Sequence, residues 1–119
     1  MEILNVEKVT ALAHDIGEQH MPTLLTIFVR ELEEYSEQLQ ENRDDDQYMI
    51  TISHALKSSA GSFGADALCT LAQQIDAAAK QGDRAQVQHA QVAMIATLNE
   101  TLMAYQRLIH AGINLHSNV

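Results

Sequence analysis

The chain has 119 residues, 46% of them hydrophobic, with 16 Asp and Glu against 7 Lys and Arg for a formal net charge of -9. That length suits a single domain over residues 1–119 with one modest core, and an acidic chain is repelled by the phosphate backbone, which sets direct nucleic-acid binding aside. The single cysteine, Cys69, precludes an internal disulfide framework and reads as a small buried apolar residue in a reducing compartment. No basic stretch precedes an apolar N-terminal segment, and no apolar run approaches the roughly 20 residues a membrane span needs. The polar faces are acidic, unlike those of a membrane-surface helix. The expectation is a soluble, cytoplasmic protein.

Five helical segments follow one another, with no convincing strand. Asn5 can cap a helix over Val6–Ile16, with Val6, Val9, Ala13 and Ile16 on one side and Gly17 as its stop. Pro22 sits where the first turn of a second helix tolerates proline. From there Met21, Leu25, Phe28, Leu32, Tyr35 and Leu39 form a core stripe, while Ile27 is placed beneath the first helix, an exposed place on a partner-facing surface being its alternative. The run Asp44-Asp45-Asp46 ends that helix and starts the next, Asp44 and Gln47 having capping-box spacing. It lacks the spaced oxygen ligands and distal Glu of a calcium loop. A third helix covers 46–62, with Gly64 as the break, and a fourth covers 65–81, buried through Leu68, Leu71, Ala72, Ile75 and Ala79. Gly82 closes it, Asp83 caps the next with Gln86 at capping-box spacing, and one long final helix is predicted over 84–111. The tail from Gly112 reads as frayed. Four substantial amphipathic helices with short connections predict an all-α fold, an antiparallel four-helix bundle with the short N-terminal helix as a lid. No second apolar stripe is left over for a partner helix, so a monomer is expected.

The third helix carries the information about function. At about 100° per residue, Met49, Ile52, Leu56, Ser59 and Phe63 form its buried stripe, and His54 falls almost opposite, facing solvent. Its neighbours one turn away are Ile50, Thr51, Lys57 and Ser58, with Gly61 and Ala65 farther along. Exposed helix positions ordinarily carry long charged side chains, whereas here a histidine stands in a clearing of Ser58, Gly61 and Ala65. Glycine inside a helix costs roughly 0.5–1 kcal/mol relative to alanine. Close approach of another protein's backbone would account for it, with Ile50 an apolar contact on that face. Lys57 places a positive charge one turn from the imidazole, suited to phosphate oxygens. A neutral imidazole nitrogen is a competent nucleophile without a strong auxiliary base, and the N–P bond it forms is labile enough for onward transfer.

The stretch Ile52-Ser53-His54-Ala55-Leu56-Lys57-Ser58-Ser59-Ala60-Gly61-Ser62-Phe63-Gly64-Ala65 resembles the signature of histidine-phosphotransfer (HPt) domains. That signature has a histidine, a hydrophobic residue two on, a lysine three on, small residues after it, and a Gly-Ala turn. Residues 22–32 (PTLLTIFVREL), 53–60 (SHALKSSA) and 62–69 (SFGADALC) narrow the likeness to the phosphorelay carriers of bacterial quorum sensing. The resemblance implies an HPt-like bundle with His54 as phosphoacceptor and Lys57 as supporting cation. Ile50, Ser58, Gly61 and Ala65 would form the docking surface. The implied partners are the receiver domain of a hybrid sensor kinase, as donor, and that of a DNA-binding response regulator, as acceptor. No cofactor of the chain's own is implied, Mg2+ coming from the partner receiver. Two features depart from the family pattern. Ser58 follows the lysine where many members have glycine, and the following helix offers Gln73 and Asp76 where many place a glutamine near the phosphohistidine, neither being assigned that role by its position.

Other readings fare less well. An autokinase needs a nucleotide-binding domain with glycine-rich segments that this chain lacks. A di-iron bundle needs Glu three residues before His on facing helices, and none of His14, His20, His89, His110 or His116 has such a partner. A helical adaptor or anti-activator that binds a receiver domain without carrying phosphate is the remaining alternative.

Overall fold

The structure, a computed structural model, describes residues 1–112. Among these, six α-helices follow in order: α1 (Val6–Ile16), α2 (Met21–Glu41, entered through a 3-10 turn at Glu18–His20), α3 (Asp46–Phe63), α4 (Asp66–Lys80), α5 (Arg84–His89) and α6 (Gln91–His110). No strand occurs among the described residues. The tail beyond Gly112, expected to fray, lies outside them.

Helix ends are set by local chemistry. The Asn5 side chain accepts from the Lys8 amide at 3.2 Å, and Asp83 accepts from the Gln86 amide at 3.1 Å, as their positions predict. At the start of α3 the cap is Asp45, bonded to the Tyr48 amide at 3.2 Å, and not Asp44. Three successive aspartates can each cap, and the backbone selects the one left extended just before the first helical residue. Gly64 ends α3 in the left-handed region at φ 81°. A Cβ there would lie 2.9 Å from the Asn5 carbonyl oxygen, so only glycine fits. The Asn5 amide donates to the Gly64 carbonyl at 2.8 Å, and Asp66 accepts from Asn5 Nδ2 at 2.8 Å and Lys8 Nζ at 2.7 Å. The lid helix α1 is thereby fastened to the α3–α4 turn, with Val9 and Ala13 buried beneath it.

The core runs through α2 (Met21, Leu25, Phe28, Leu32, Leu39), α3 (Met49, Ile52, Leu56, Ala60), α4 (Leu68, Ala72, Ile75) and α6 (Met94, Leu98, Tyr105). Phe28 stacks on Phe63 with centroids 4.4 Å apart and meets Tyr105 edge-on at 5.1 Å. The buried Tyr105 hydroxyl donates to the Phe63 carbonyl at 2.7 Å, which satisfies one of the orphan acceptors at the end of α3.

Four expectations are corrected. The long final helix is two: α5 packs on α3 and α4, whereas α6 packs mainly on α2, and the helical run breaks at Ala90. Ala90 and its neighbours are good helix formers, so no local signal marks the break. Ile27 is exposed and not beneath α1. Cys69 is only half-buried, and its Sγ donates to the Lys57 carbonyl at 3.4 Å. The buried stripe of α3 is Met49, Ile52, Ser53, Leu56 and Ala60, with Ser59 and Phe63 half-buried at its edge. At 100° per residue this turns the helix by about 40° from the expected orientation, and that rotation decides the geometry around His54.

Candidate functional site

His54 and Lys57 lie one turn apart on α3, and Asp76 and Lys80 one turn apart on α4, so each pair shares a helix face. The rotation of α3 carries the first pair toward α4. His54 Nδ1 lies 3.2 Å from Asp76 Oδ1. Lys57 Nζ and Lys80 Nζ both donate to Asp76 Oδ2, at 2.7 and 2.9 Å. One carboxylate thus gathers an imidazole and two ammonium groups from two helices.

The exposures are unequal. The Asp76 side chain is 7% accessible, Lys57 30%, Lys80 66% and His54 68%. A buried charge persists only when paired and hydrogen-bonded. The Lys57 ammonium first, then that of Lys80, holds the Asp76 carboxyl well below the usual carboxylate range, against the opposing effect of burial. Asp76 in turn raises the Lys80 ammonium above its ordinary value. The imidazole meets this fixed anion with its Nδ1 edge and presents the rest of the ring to solvent. It stands in a shallow concavity of about 430 Å³ lined by Gln47, Ile50, Thr51, His54, Asp76, Ala79 and Lys80. A larger groove of about 500 Å³ runs between α2 and α6, with Val29, Arg30, Met103 and Arg107 in its walls. Its charged groups are all exposed, and the pairing of a buried carboxylate with an exposed imidazole belongs to the smaller concavity.

The residues picked out by sequence fare differently. His54 faces solvent, Ser58 is exposed beyond it, and Ile50 is half-buried in the concavity wall. Gly61 is half-buried, and a Cβ there would meet Cys69 Sγ at 3.4 Å, an ordinary contact, so its missing side chain faces α4. Ala65 is fully buried in the core at the start of α4, which removes it from any docking surface. Lys57 lies along the bundle surface, drawn onto Asp76, and does not project into solvent. Gln73 is exposed outside the cluster, whereas Asp76 sits at its centre. Lys80 escapes sequence reasoning. The Asp76–Lys80 spacing on a predicted helix is the available signal, but such pairs are common on solvated faces. Among the described residues no group of three or more His, Cys, Asp or Glu could hold a metal ion, and no helix is long and apolar enough to cross a membrane.

Comparison with known proteins finds relatives named phosphorelay proteins. The Phosphorelay protein LuxU of Vibrio vulnificus is 49% identical over 107 residues, which cover 88% of this chain and 93% of that protein. The Phosphorelay protein LuxU of Vibrio cholerae is 40% identical over 111 residues, covering 92% and 98%, and that of Vibrio harveyi 41% over 107 residues, covering 88% and 94%. No solved structure matches the chain significantly. Residues 23–110, from the first turn of α2 to the end of α6, match the Hpt domain family. With its helical bundle, solvent-facing histidine and relatives similar over most of their length, the chain belongs to the Hpt domain family.

Proposed function

We propose that this protein is a phosphorelay carrier: His54 accepts a phosphoryl group from a receiver-domain aspartate of a hybrid sensor kinase and passes it to the receiver aspartate of a response regulator, in quorum sensing. The single observation that carries the reading is the exposed His54 imidazole braced on a buried carboxylate. The relatives named phosphorelay proteins support it. The whole chain acts as one phosphotransfer domain in the cytoplasm, as a monomer.

In this reading a receiver docks over the concavity, touching Ile50, Ser58 and the backbone near Gly61. His54 attacks the phosphorus of the aspartyl phosphate in line. The N–P bond forms as the P–O bond to the partner's carboxylate breaks. Phosphoryl transfer depends on positioning and on neutralising the equatorial oxygens. The receiver brings the Mg2+, and Lys57 adds a cation beside the reacting group. Donor and acceptor use the same face, so they bind in turn. The chain is a carrier without autokinase activity, because its sequence holds no glycine-rich segment to cradle a nucleotide.

The test is to mix the purified protein with a phosphorylated receiver domain and Mg2+, without kinase, and follow the label. Labelling of the wild type and not of a folded His54→Ala variant supports the carrier. A folded wild type that takes no label from several receivers would point to the adaptor that binds a receiver without carrying phosphate.

A further inference from the structure

We propose that the groove between α2 and α6 is a second docking surface, and that its occupant is an acidic amphipathic helix of a partner protein, seated while His54 stays free for a receiver. This goes beyond the carrier reading and does not depend on it. The two helices run antiparallel: the Ser36 hydroxyl donates to Asn99 Oδ1 at 2.8 Å, and Phe28 meets Tyr105 farther along the seam. The groove spans residues 26–33 of α2 and 103–110 of α6, about 10 Å at the rise of an α-helix. Its floor is apolar. Val29 is buried, Ile109 is half-buried, and Met103 stands 50% exposed at the rim. The short helices lie elsewhere: α1 packs on α3, α5 packs on α3 and α4, and neither lends a residue to this groove. The groove also shares no residue with the concavity at His54.

Charge identifies the occupant. Each of the three lysines, Lys8, Lys57 and Lys80, is paired with an aspartate. Arg30 and Arg107, on the facing walls of the groove, make no ion pair among the described residues. By the antiparallel register they stand within about one turn of each other's level, with His110 toward one end of the groove and Glu33 toward the other. In a chain of net charge -9, two unpaired guanidinium groups over an apolar floor make a local exception to the repulsion that an acidic partner meets elsewhere. The planar guanidinium fork suits carboxylates in particular. A helix with apolar residues at i, i+3 or i+4, and i+7 lays its anchors over about 10 Å, the length of this groove. Its flanking Asp and Glu then reach the two arginines. A second copy of this chain fits less well, because a twofold contact sets the same patch against itself and opposes arginine to arginine. Holding a partner here while its receiver visits His54 would raise the receiver's effective concentration.

The test titrates the full chain, methyl-labelled for NMR, with two peptides of about 15 residues, long enough to form a helix on binding. Both carry leucine at helical spacing on one face; the other face is glutamate in one peptide and lysine in the second. The glutamate peptide should shift the Val29, Met103 and Ile109 methyls and leave Ile50, beside His54, unmoved. Arg30→Glu and Arg107→Glu, each checked for fold by circular dichroism, should each weaken its binding about three- to tenfold, and added salt should weaken it further. The lysine peptide should not bind the wild type. No shift with the glutamate peptide would overturn the proposal. So would equal binding of the two peptides, which would reduce the groove to an apolar patch, or shifts centred on α3. Concentration-dependent shifts of the same three methyls without peptide would assign the groove to a second copy instead. Binding is read without phosphate, so the result stands whether or not His54 accepts a label.

Discussion

The molecule contains two aspartate–lysine clasps that look alike in sequence and differ in purpose. At the α3–α4 turn, Asp66 holds Lys8 and Asn5 and ties residues about 60 apart in the chain. Beside His54, Asp76 holds Lys57 and Lys80. The Asp66 side chain is 18% exposed and is bonded to Lys8 and Asn5, while Asp76 is 7% exposed and has an imidazole on its other oxygen. Burying a carboxylate is costly and leaves it dependent on its partners. The first clasp fastens a lid; the second uses that cost to give a solvent-facing ring a fixed, charged neighbour. Charge pairing alone therefore does not mark a site, whereas a buried anion shared with an exposed titratable side chain does.

Several substitutions would break or sharpen this contrast. The largest effect is expected from His54→Gln, which can still bond to Asp76 but has no nucleophilic nitrogen: phosphoryl uptake should vanish while the helical circular dichroism spectrum is kept. Lys57→Ala should slow uptake roughly ten- to a hundredfold, in line with the about 1.5–3 kcal/mol of a hydrogen bond to a charged group, measured as initial rate of label transfer. If it left the rate unchanged, the second clasp would be no more functional than the first.

Gly64→Ala probes the lid's anchor. Its left-handed backbone and the contact with the Asn5 carbonyl should cost about 2 kcal/mol in urea unfolding, with transfer by the folded fraction intact. Acid titration separates the two aspartates by degree. Both are held below the usual carboxylate range by their cation partners. A depressed carboxyl contributes stability that is fully present above the unfolded-state value of about 4 and is lost as pH falls toward the folded-state value. Asp76→Asn should therefore flatten the acid limb of stability more than Asp66→Asn, read as the change in denaturation midpoint between neutral and acid pH. The smallest effect belongs to Lys8→Ala: its ammonium is half exposed and such a pair contributes little, so melting temperature should fall only slightly, Asn5 still holding the lid, and the transfer rate should hold.

Much of the fold and part of the site are legible in the sequence. Asn5, Pro22, Gly17, Gly64 and Asp83 act through their own backbone or the next turn, and all five occupy the positions their chemistry predicts. His54 stands out because a histidine, a lysine and small residues share one helical face. Ala65 and Ile27 depart from expectation for a common reason: both lie next to helix boundaries or neighbours whose position depends on other helices. Periodicity alone extends the α3 surface to Ala65, yet the turn at Gly64 redirects the chain and sends it into the core. Asp76 shows no role in the linear sequence, because its partners on α3 lie 19 and 22 residues away.

By itself the sequence determined the helices, most of their ends, the all-α bundle and the exposed histidine, since periodicity and capping act over a few residues. Only the tertiary structure decided how far α3 rotates about its axis, where the last helix breaks, and that Asp76 and Lys80 join His54 and Lys57. Those outcomes depend on how whole helix surfaces pack against one another, and a rotation of about 40° is small against the width of an apolar stripe but large enough to choose which side chains meet across it.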